Sequence, residues 1–252
     1  MSDDIILEAS GLSKRFGGFD AVGGVDIKVR RGSIHALIGP NGAGKTTCFN
    51  LLTKFHQPTA GQIRFDGRDI TSLAPADVAL AGLVRSFQIS AVFGEMSVLE
   101  NVRIALQRRH RGSSFDFWRT ERTLRSLDGK AAHLIEAVGL ASHISRRAGE
   151  LSYGRKRALE IATTLALDPK MLLLDEPMAG MGHEDIDRTA ELIRTVSTDR
   201  TILMVEHNLS VVSSLSDRIT VLSRGKVLAE GAYADVSTDP RVVEAYIGVP
   251  HA

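Results

Sequence analysis

Residues 33–47 constrain the fold more than any other stretch. Ser33 to Ile38 reads as an apolar extended segment, Gly39-Pro40-Asn41-Gly42-Ala43-Gly44-Lys45-Thr46-Thr47 follows directly, and a helical pattern runs from Lys45 to Leu52. Strand, glycine-rich loop and helix in immediate succession open a βαβ-type unit and predict a parallel sheet. The loop satisfies GxxxxGK[ST], the Walker A pattern, in the context that gives the pattern its meaning. Glycines let the backbone N–H groups turn inward around a phosphate, where a Cβ would obstruct the approach. The helix that follows adds the positive end of its dipole. Lys45 is placed to reach the β- and γ-phosphates of a nucleoside triphosphate and the Thr46 hydroxyl to ligate Mg²⁺, with Gly39, Pro40, Asn41, Gly42, Ala43, Gly44 and Thr47 completing the cradle.

A second segment fits the first. Met171-Leu172-Leu173-Leu174-Asp175-Glu176-Pro177 is an apolar run ended by two acids, the pattern of a central parallel strand that delivers carboxylates at its C-terminal edge. An apolar run before Asp-Glu is common by itself; paired with the phosphate loop it predicts Asp175 in the Mg²⁺ shell and Glu176 as the residue that orients or deprotonates the attacking water. Strand and helix then alternate through Glu184–Ser197, Thr201–Val205, Leu209–Leu215 and Arg218–Leu222. Before the loop, Ile5–Leu7 and Ala21–Arg30 read as extended, set apart by Gly17-Gly18 and Arg31-Gly32 turn signals. Between about Ser90 and Leu167 helical spacing replaces β-branched alternation, which predicts a helical subdomain. The expected organisation is one domain over 1–252, with 1–88 and 168–252 as core and about 89–167 as the helical insertion.

Composition narrows the class. The 43% hydrophobic and 24% charged content suits a globular chain, and 31 basic against 30 acidic residues leave a formal charge of +1, which gives no support to a nucleic-acid partner. The single cysteine, Cys48, has no internal disulfide partner, which fits a reducing compartment as well as several others, and it reads as a small buried hydrophobe. The acidic start Met1-Ser2-Asp3-Asp4 lacks an apolar h-region, so no secretory signal is expected, and the apolar runs fall far short of the roughly 18 to 20 residues that span a bilayer. Within Gln107 to Arg125, Arg108, Arg109, Arg111, Arg119, Arg122 and Arg125 surround Phe115, Phe117 and Trp118. That stretch could touch lipid head groups or a partner helix, but it fits better a solvated helical hairpin with inward aromatics; no stacking platform for RNA accompanies it.

Leu151-Ser152-Tyr153-Gly154-Arg155, just before a helical run Lys156–Leu167, resembles the LSGGQ signature of ABC ATPases. Its physics is again anion binding, with Ser152 at a helix N-cap and Gly154 allowing close backbone approach. Other elements stand in that family's order: Phe16 in Lys14-Arg15-Phe16-Gly17 resembles the aromatic that stacks on adenine, Gln88 in Ser86-Phe87-Gln88 the Q-loop glutamine that touches the metal and attacking water, and His207 the switch histidine that contacts the γ-phosphate. Leu-Ser-Tyr-Gly, Ala179-Gly180-Met181 and the ending Asp239-Pro240-Arg241-Val242-Val243-Glu244-Ala245-Tyr246-Ile247-Gly248 are similar to the branched-chain amino acid importer type, a pattern much of which importers of urea or short amides share.

The resemblance implies an α/β P-loop NTPase core with an N-terminal antiparallel β subdomain and an inserted α-helical subdomain. It implies ATP and Mg²⁺ as cofactors, with Glu176, His207, Gln88 and Lys45 catalytic, Phe16, the loop, Ser152 and Gly154 binding nucleotide, and Thr46, Gln88 and Asp175 serving the metal. In the family the signature acts on the nucleotide held by a second cassette, identical or a sister chain. The implied partners are that cassette, membrane permease subunits and, indirectly, a substrate-binding protein, at the cytoplasmic face of the inner or plasma membrane. A non-transport ABC ATPase and a P-loop kinase that transfers phosphate to a small molecule are the alternatives. Arg155 stands in place of the signature glutamine and Gly182 in place of the D-loop Asp or Asn, so those two side-chain contacts are not carried over.

Overall fold

The computed structural model describes residues 4–86, 92–107 and 127–247. Gln88, expected at metal and water, lies outside them, as does the arginine-rich stretch from Arg108 to Arg125. The chain divides into two compact units, one of residues 1–85, 170–179 and 193–252, the other of 86–169 and 180–192.

The first unit holds both sheets. Strands β1 (Ile5–Phe16) and β2 (Phe19–Arg30) form a long antiparallel hairpin with register Leu7↔Val29 and Ala9↔Ile27. β4 (Ala60–Phe65) and β5 (Arg68–Asp69) extend it, in the order β2-β1-β4-β5. Along β2, Val25, Ile27 and Val29 are buried while Asp26, Lys28 and Arg30 are exposed, the period-two pattern of a sheet with one covered face. β1 runs well past the expected Leu7. The ladder shifts register between Ala9 and Leu12, where Gly11 has φ 59° and its N–H donates to Asp26 Oδ1 at 2.7 Å; a bulge of this kind carries a strand through a stretch whose alternation is broken.

The second sheet has the order β10-β9-β3-β8-β7-β6, built from β3 (Ile34–Ile38), β6 (Leu83–Arg85), β7 (Met171–Asp175), β8 (Thr201–Val205), β9 (Arg218–Ser223) and β10 (Lys226–Gly231). All its pairings are parallel except β9 with β10. β3 and β8 are buried at every position, as continuous apolar runs covered on both faces must be. Helix α1 (Lys45–Leu52) contributes Cys48, Phe49, Leu51 and Leu52 to one buried cluster with Leu7, Ile27, Ile63 and Phe65 of the first sheet and Leu37, Leu173, Leu203 and Val205 of the second. Burial pushes the Cys48 thiol up to about 12, which suits its expected role as a hydrophobe. Helix α2 (Pro75–Ala81) precedes β6.

The second unit is helical: α3 (Val98–Gln107), α4 (Asp128–Ala137) and α5 (Tyr153–Leu165), with two single 3₁₀ turns, Ala141–His143 and Ala148–Glu150, between α4 and α5. α5 starts three residues before the expected Lys156, directly after Ser152. α6 (His183–Ser197) begins in this unit, with Ile186 N–H donating to Gly182 O at 3.0 Å, so the glycine caps that helix through its carbonyl. α7 (Leu209–Leu215), α8 (Tyr233–Ser237) and α9 (Pro240–Ile247) return to the first unit. No helix among the described residues is long and apolar enough to cross a membrane.

Candidate functional site

Strand register puts the candidate residues on one edge. Leu37 of β3 and Asp175 of β7 both pair with Val205 of β8, so the three neighbouring strands end level with one another. At about 4.8 Å per strand spacing, the glycine loop, Asp175-Glu176 and Glu206-His207 leave the sheet within a span of about 10 Å.

The loop is fixed from behind. Gly39 has φ 150°, and a Cβ there would lie 2.2 Å from Leu222 O; Gly44 has φ 99°, and its Cβ would lie 2.6 Å from Ala21 O. These two glycines answer to the protein's own backbone on β9 and β2, not to phosphate. Gly42, at φ 77°, has no atom within 4 Å of its missing Cβ, and so keeps the open side that the sequence assigned to all three. Gly225 N–H donates to Ala43 O at 3.0 Å, and Gly23 N–H to Gly225 O at 2.8 Å, which ties the loop to the β9–β10 turn and β2. The Tyr246 hydroxyl of α9 is buried near the Gly39 backbone, and burial pushes it up to about 12.

α1 opens at Gly44 without a side-chain cap, and its first internal bond runs from Cys48 N–H to Gly44 O at 2.8 Å. The N–H groups of Lys45, Thr46 and Thr47 therefore have no partner inside the helix. Lys45 is buried, and Nζ donates to Gly39 O at 2.7 Å and Pro40 O at 3.0 Å. Burial lowers its pKa, and the charges of Glu176 and Asp175 oppose that shift.

Asp175 is mostly buried at the end of β7 and pairs with Arg85. The next residue, Glu176, is exposed and holds φ 45°, a left-handed conformation that costs a non-glycine residue roughly 1–2 kcal/mol. Its N–H donates to Val205 O at 2.9 Å, which locks the turn. Strain of this kind concentrates at functional sites. His207 has a side chain 63% exposed, with Nδ1 4.0 Å from Glu206 Oε2. Glu206 itself went unread in the sequence, although it ends an apolar strand as Asp175 does. Its carboxylate is fully buried and accepts the N–H groups of Met178 (2.9 Å), His207 (2.9 Å) and Asn208 (3.1 Å). Asn208 then caps α7 by accepting from Ser210 and Val211 N–H.

Phe16 is 44% exposed and meets His56 edge to face, with ring centroids 5.3 Å apart; Lys14 Nζ lies 5.1 Å from its ring centroid. In the helical unit, Ser152 takes the N-cap position of α5, but its hydroxyl makes no capping bond. Gly154 is buried, and a Cβ there would meet the Asp185 carboxylate at 2.6–2.9 Å. The glycine thus admits a carboxylate of α6, a neighbour the sequence gave no sign of.

Among the described residues no group of three His, Cys, Asp or Glu is placed to hold a metal ion. The oxygen donors Thr46 Oγ1 and the Asp175 carboxylate suit Mg²⁺, a cation that keeps several waters and binds through one or two carboxylates together with substrate phosphates.

Residues 22–179 match the ABC transporter family, and residues 226–252 match the family described as branched-chain amino acid ATP-binding cassette transporter. The chain is similar to the high-affinity branched-chain amino acid transport ATP-binding protein BraF of Pseudomonas aeruginosa, at 43% identity covering 96% of this chain and 98% of that protein. It is also similar to the corresponding protein LivG of Escherichia coli K12, at 38% identity over the same shares. Among solved structures, a nucleotide-free ATP-binding cassette from an ABC transporter matches with TM-score 0.85 and 33% identity, covering 97% of this chain and 100% of that one. The ADP conformation of MJ1267, an ATP-binding cassette of an ABC transporter, matches with TM-score 0.84 and 33% identity, covering 97% and 99%. The chain belongs to the ABC transporter family, as one of its ATP-hydrolysing nucleotide-binding cassettes.

Proposed function

We propose that this cassette powers the import of branched-chain amino acids through separate permease subunits, working at the cytoplasmic face of the membrane as one half of an ATP-dependent dimer. The observation that carries the dimer is the split of the chemistry: the phosphate loop, Asp175, Glu176 and His207 share one sheet edge, while the Ser152 hydroxyl stands at the start of α5 unused by its own helix. A phosphate offered by a second cassette would meet Ser152 and the uncapped N-terminus of α5. The matches to branched-chain amino acid transport proteins along nearly the full length support the cargo.

In this reading the loop N–H groups and Lys45 hold the β- and γ-phosphates, Phe16 stacks on the adenine, and Gln88 touches the metal and the attacking water. Lys45 gives up Gly39 O and Pro40 O for phosphate oxygens, which a cation already desolvated does at low cost. Thr46 and Asp175 would hold Mg²⁺, which when bound neutralises charge on the phosphates. Glu176, swung out by its left-handed backbone, orients the attacking water and takes its proton, and His207 faces the γ-phosphate.

The test is reconstitution with permeases, a substrate-binding protein and a sister cassette of the branched-chain amino acid class. ATP hydrolysis stimulated by leucine, isoleucine or valine supports the reading. Stimulation by urea or short amides alone moves the cargo to that class, and hydrolysis indifferent to permease and binding protein overturns the transport role. Mixing with the sister cassette decides between a homodimer and a heterodimer.

A further inference from the structure

Arg85 ends β6, and its guanidinium closes a buried bridge across the nucleotide-binding unit. Nη2 donates to Asp175 Oδ2 at 2.5 Å and Nη1 to Asn50 Oδ1 at 2.6 Å. The rings of Phe49 and Phe55 flank the group, each centroid 5.9 Å from Cζ. The side chains of Arg85 and Asp175 are only 15% and 11% exposed. Phe49 and Asn50 belong to α1, the helix that starts at Lys45, so one side chain joins β6, the acid at the end of β7 and the helix behind the phosphate loop.

A carboxylate buried to this degree is costly unless a charge compensates it. The planar fork of an arginine suits the task, since it bonds two oxygens in fixed directions while its faces rest on aromatic rings. We propose that Arg85 is a positioning residue for ATP hydrolysis: it serves as a resident counter-ion of Asp175 while no divalent cation is bound, and through Oδ2 it fixes the direction of that carboxylate. This rests on the nucleotide-site reading above.

The charge balance gives the proposal a signature. Without a metal, a triphosphate brings negative charge toward Asp175, and Arg85 offsets the repulsion. With Mg²⁺ present, the metal supplies most of that compensation. Removing the charge of Arg85 therefore penalises metal-free nucleotide more than Mg²⁺-nucleotide, whereas mere loosening of β6, β7 and α1 weakens both alike.

The experiment is calorimetric titration of the full-length chain with β,γ-imido-ATP, in EDTA and in Mg²⁺. Arg85→Met is expected to raise the EDTA-to-Mg²⁺ ratio of dissociation constants on the order of five- to tenfold. Arg85→Lys keeps the charge and is expected to hold the wild-type ratio while hydrolysis slows, because lysine cannot bridge Asp175 and Asn50 together. In an Asp175→Asn background, Arg85→Met is expected to leave the ratio of that background unchanged. Equal weakening in both conditions, an undiminished effect in the Asp175→Asn background, or a ratio altered in Arg85→Lys overturns the proposal; the last outcome decides it even if Arg85→Met does not fold. Failure of the unaltered chain to bind nucleotide in either condition instead overturns the nucleotide-site reading.

Discussion

The carboxylate of Glu206 accepts the backbone N–H of Met178 at 2.9 Å, joining the turn that carries Glu176 to the turn that carries His207. Because the same carboxylate also accepts His207 and Asn208 N–H, one fully buried side chain sets the course of both segments. Glu206→Ala leaves these donors without their acceptor and is expected to cost about 2–4 kcal/mol of stability, with hydrolysis falling in parallel. Glu206→Gln, which keeps the shape and one acceptor, should lose less. Denaturant unfolding of the two variants checks this, and wild-type stability in Glu206→Ala would contradict the role.

On the proposed reading, Glu176 serves the chemistry and Lys45 the binding. Glu176→Gln is expected to slow hydrolysis about 10²–10⁴-fold, the range for loss of a general base, while nucleotide still binds. Lys45→Ala should weaken nucleotide binding itself. Single-turnover rates and equilibrium titrations distinguish the two, and near-normal hydrolysis by Glu176→Gln would remove it from its place at the water.

The loop glycines should respond unequally. Gly39→Ala drives a Cβ to within 2.2 Å of Leu222 O and has to displace β9 or the loop, so a loss of more than about 2 kcal/mol is expected. Gly42→Ala meets no atom within 4 Å and carries only the strain of its positive φ, about 1 kcal/mol. Its larger effect should fall on nucleotide affinity, since its open side is where phosphate has room. Thermal melts and titrations of both variants test the contrast.

His35 gives the fold a pH dependence of its own. It lies fully buried near the start of β3, with Nε2 2.8 Å from Thr220 Oγ1, and burial lowers its pKa to about 4. The unfolded chain therefore binds a proton more readily than the folded one, and stability falls as the pH drops from about 6.5 toward 4. The full contribution is about 3 kcal/mol. Unfolding free energies at pH 7 and pH 4.5 should show this loss, and His35→Asn should flatten it. An unchanged slope in that variant would assign the dependence to other groups.

Much of this site is legible along the chain because its parts are local. The run into Gly39, the acids after Leu174 and the histidine after Val205 each follow an apolar strand, and a parallel sheet makes every such strand end a neighbour of the next. Arg85, Glu206 and Asp185 escape such reading, because each matters through a partner distant in sequence: Asp175, Met178 and Gly154. The left-handed backbone of Glu176 is equally silent, since nothing in Asp-Glu-Pro announces a positive φ. The glycines show a different shortfall. The pattern alone explains them by phosphate, but at Gly39 and Gly44 the reason is the crowding of β9 and β2 behind the loop.

The pairing of β3 with β8 also governs when the molecule becomes competent during synthesis. Ile34 to Leu37 must wait for Ile202 to Val205 before the central strand has its neighbour. The phosphate loop thus leaves the ribosome long before the sheet that supports it can close. Contacts so distant along the chain are slow to form, and folding of this kind exposes apolar strands in the interim. The nascent polypeptide should therefore be unable to retain nucleotide until its last third has emerged, which makes ATP capture a late event in the birth of the cassette.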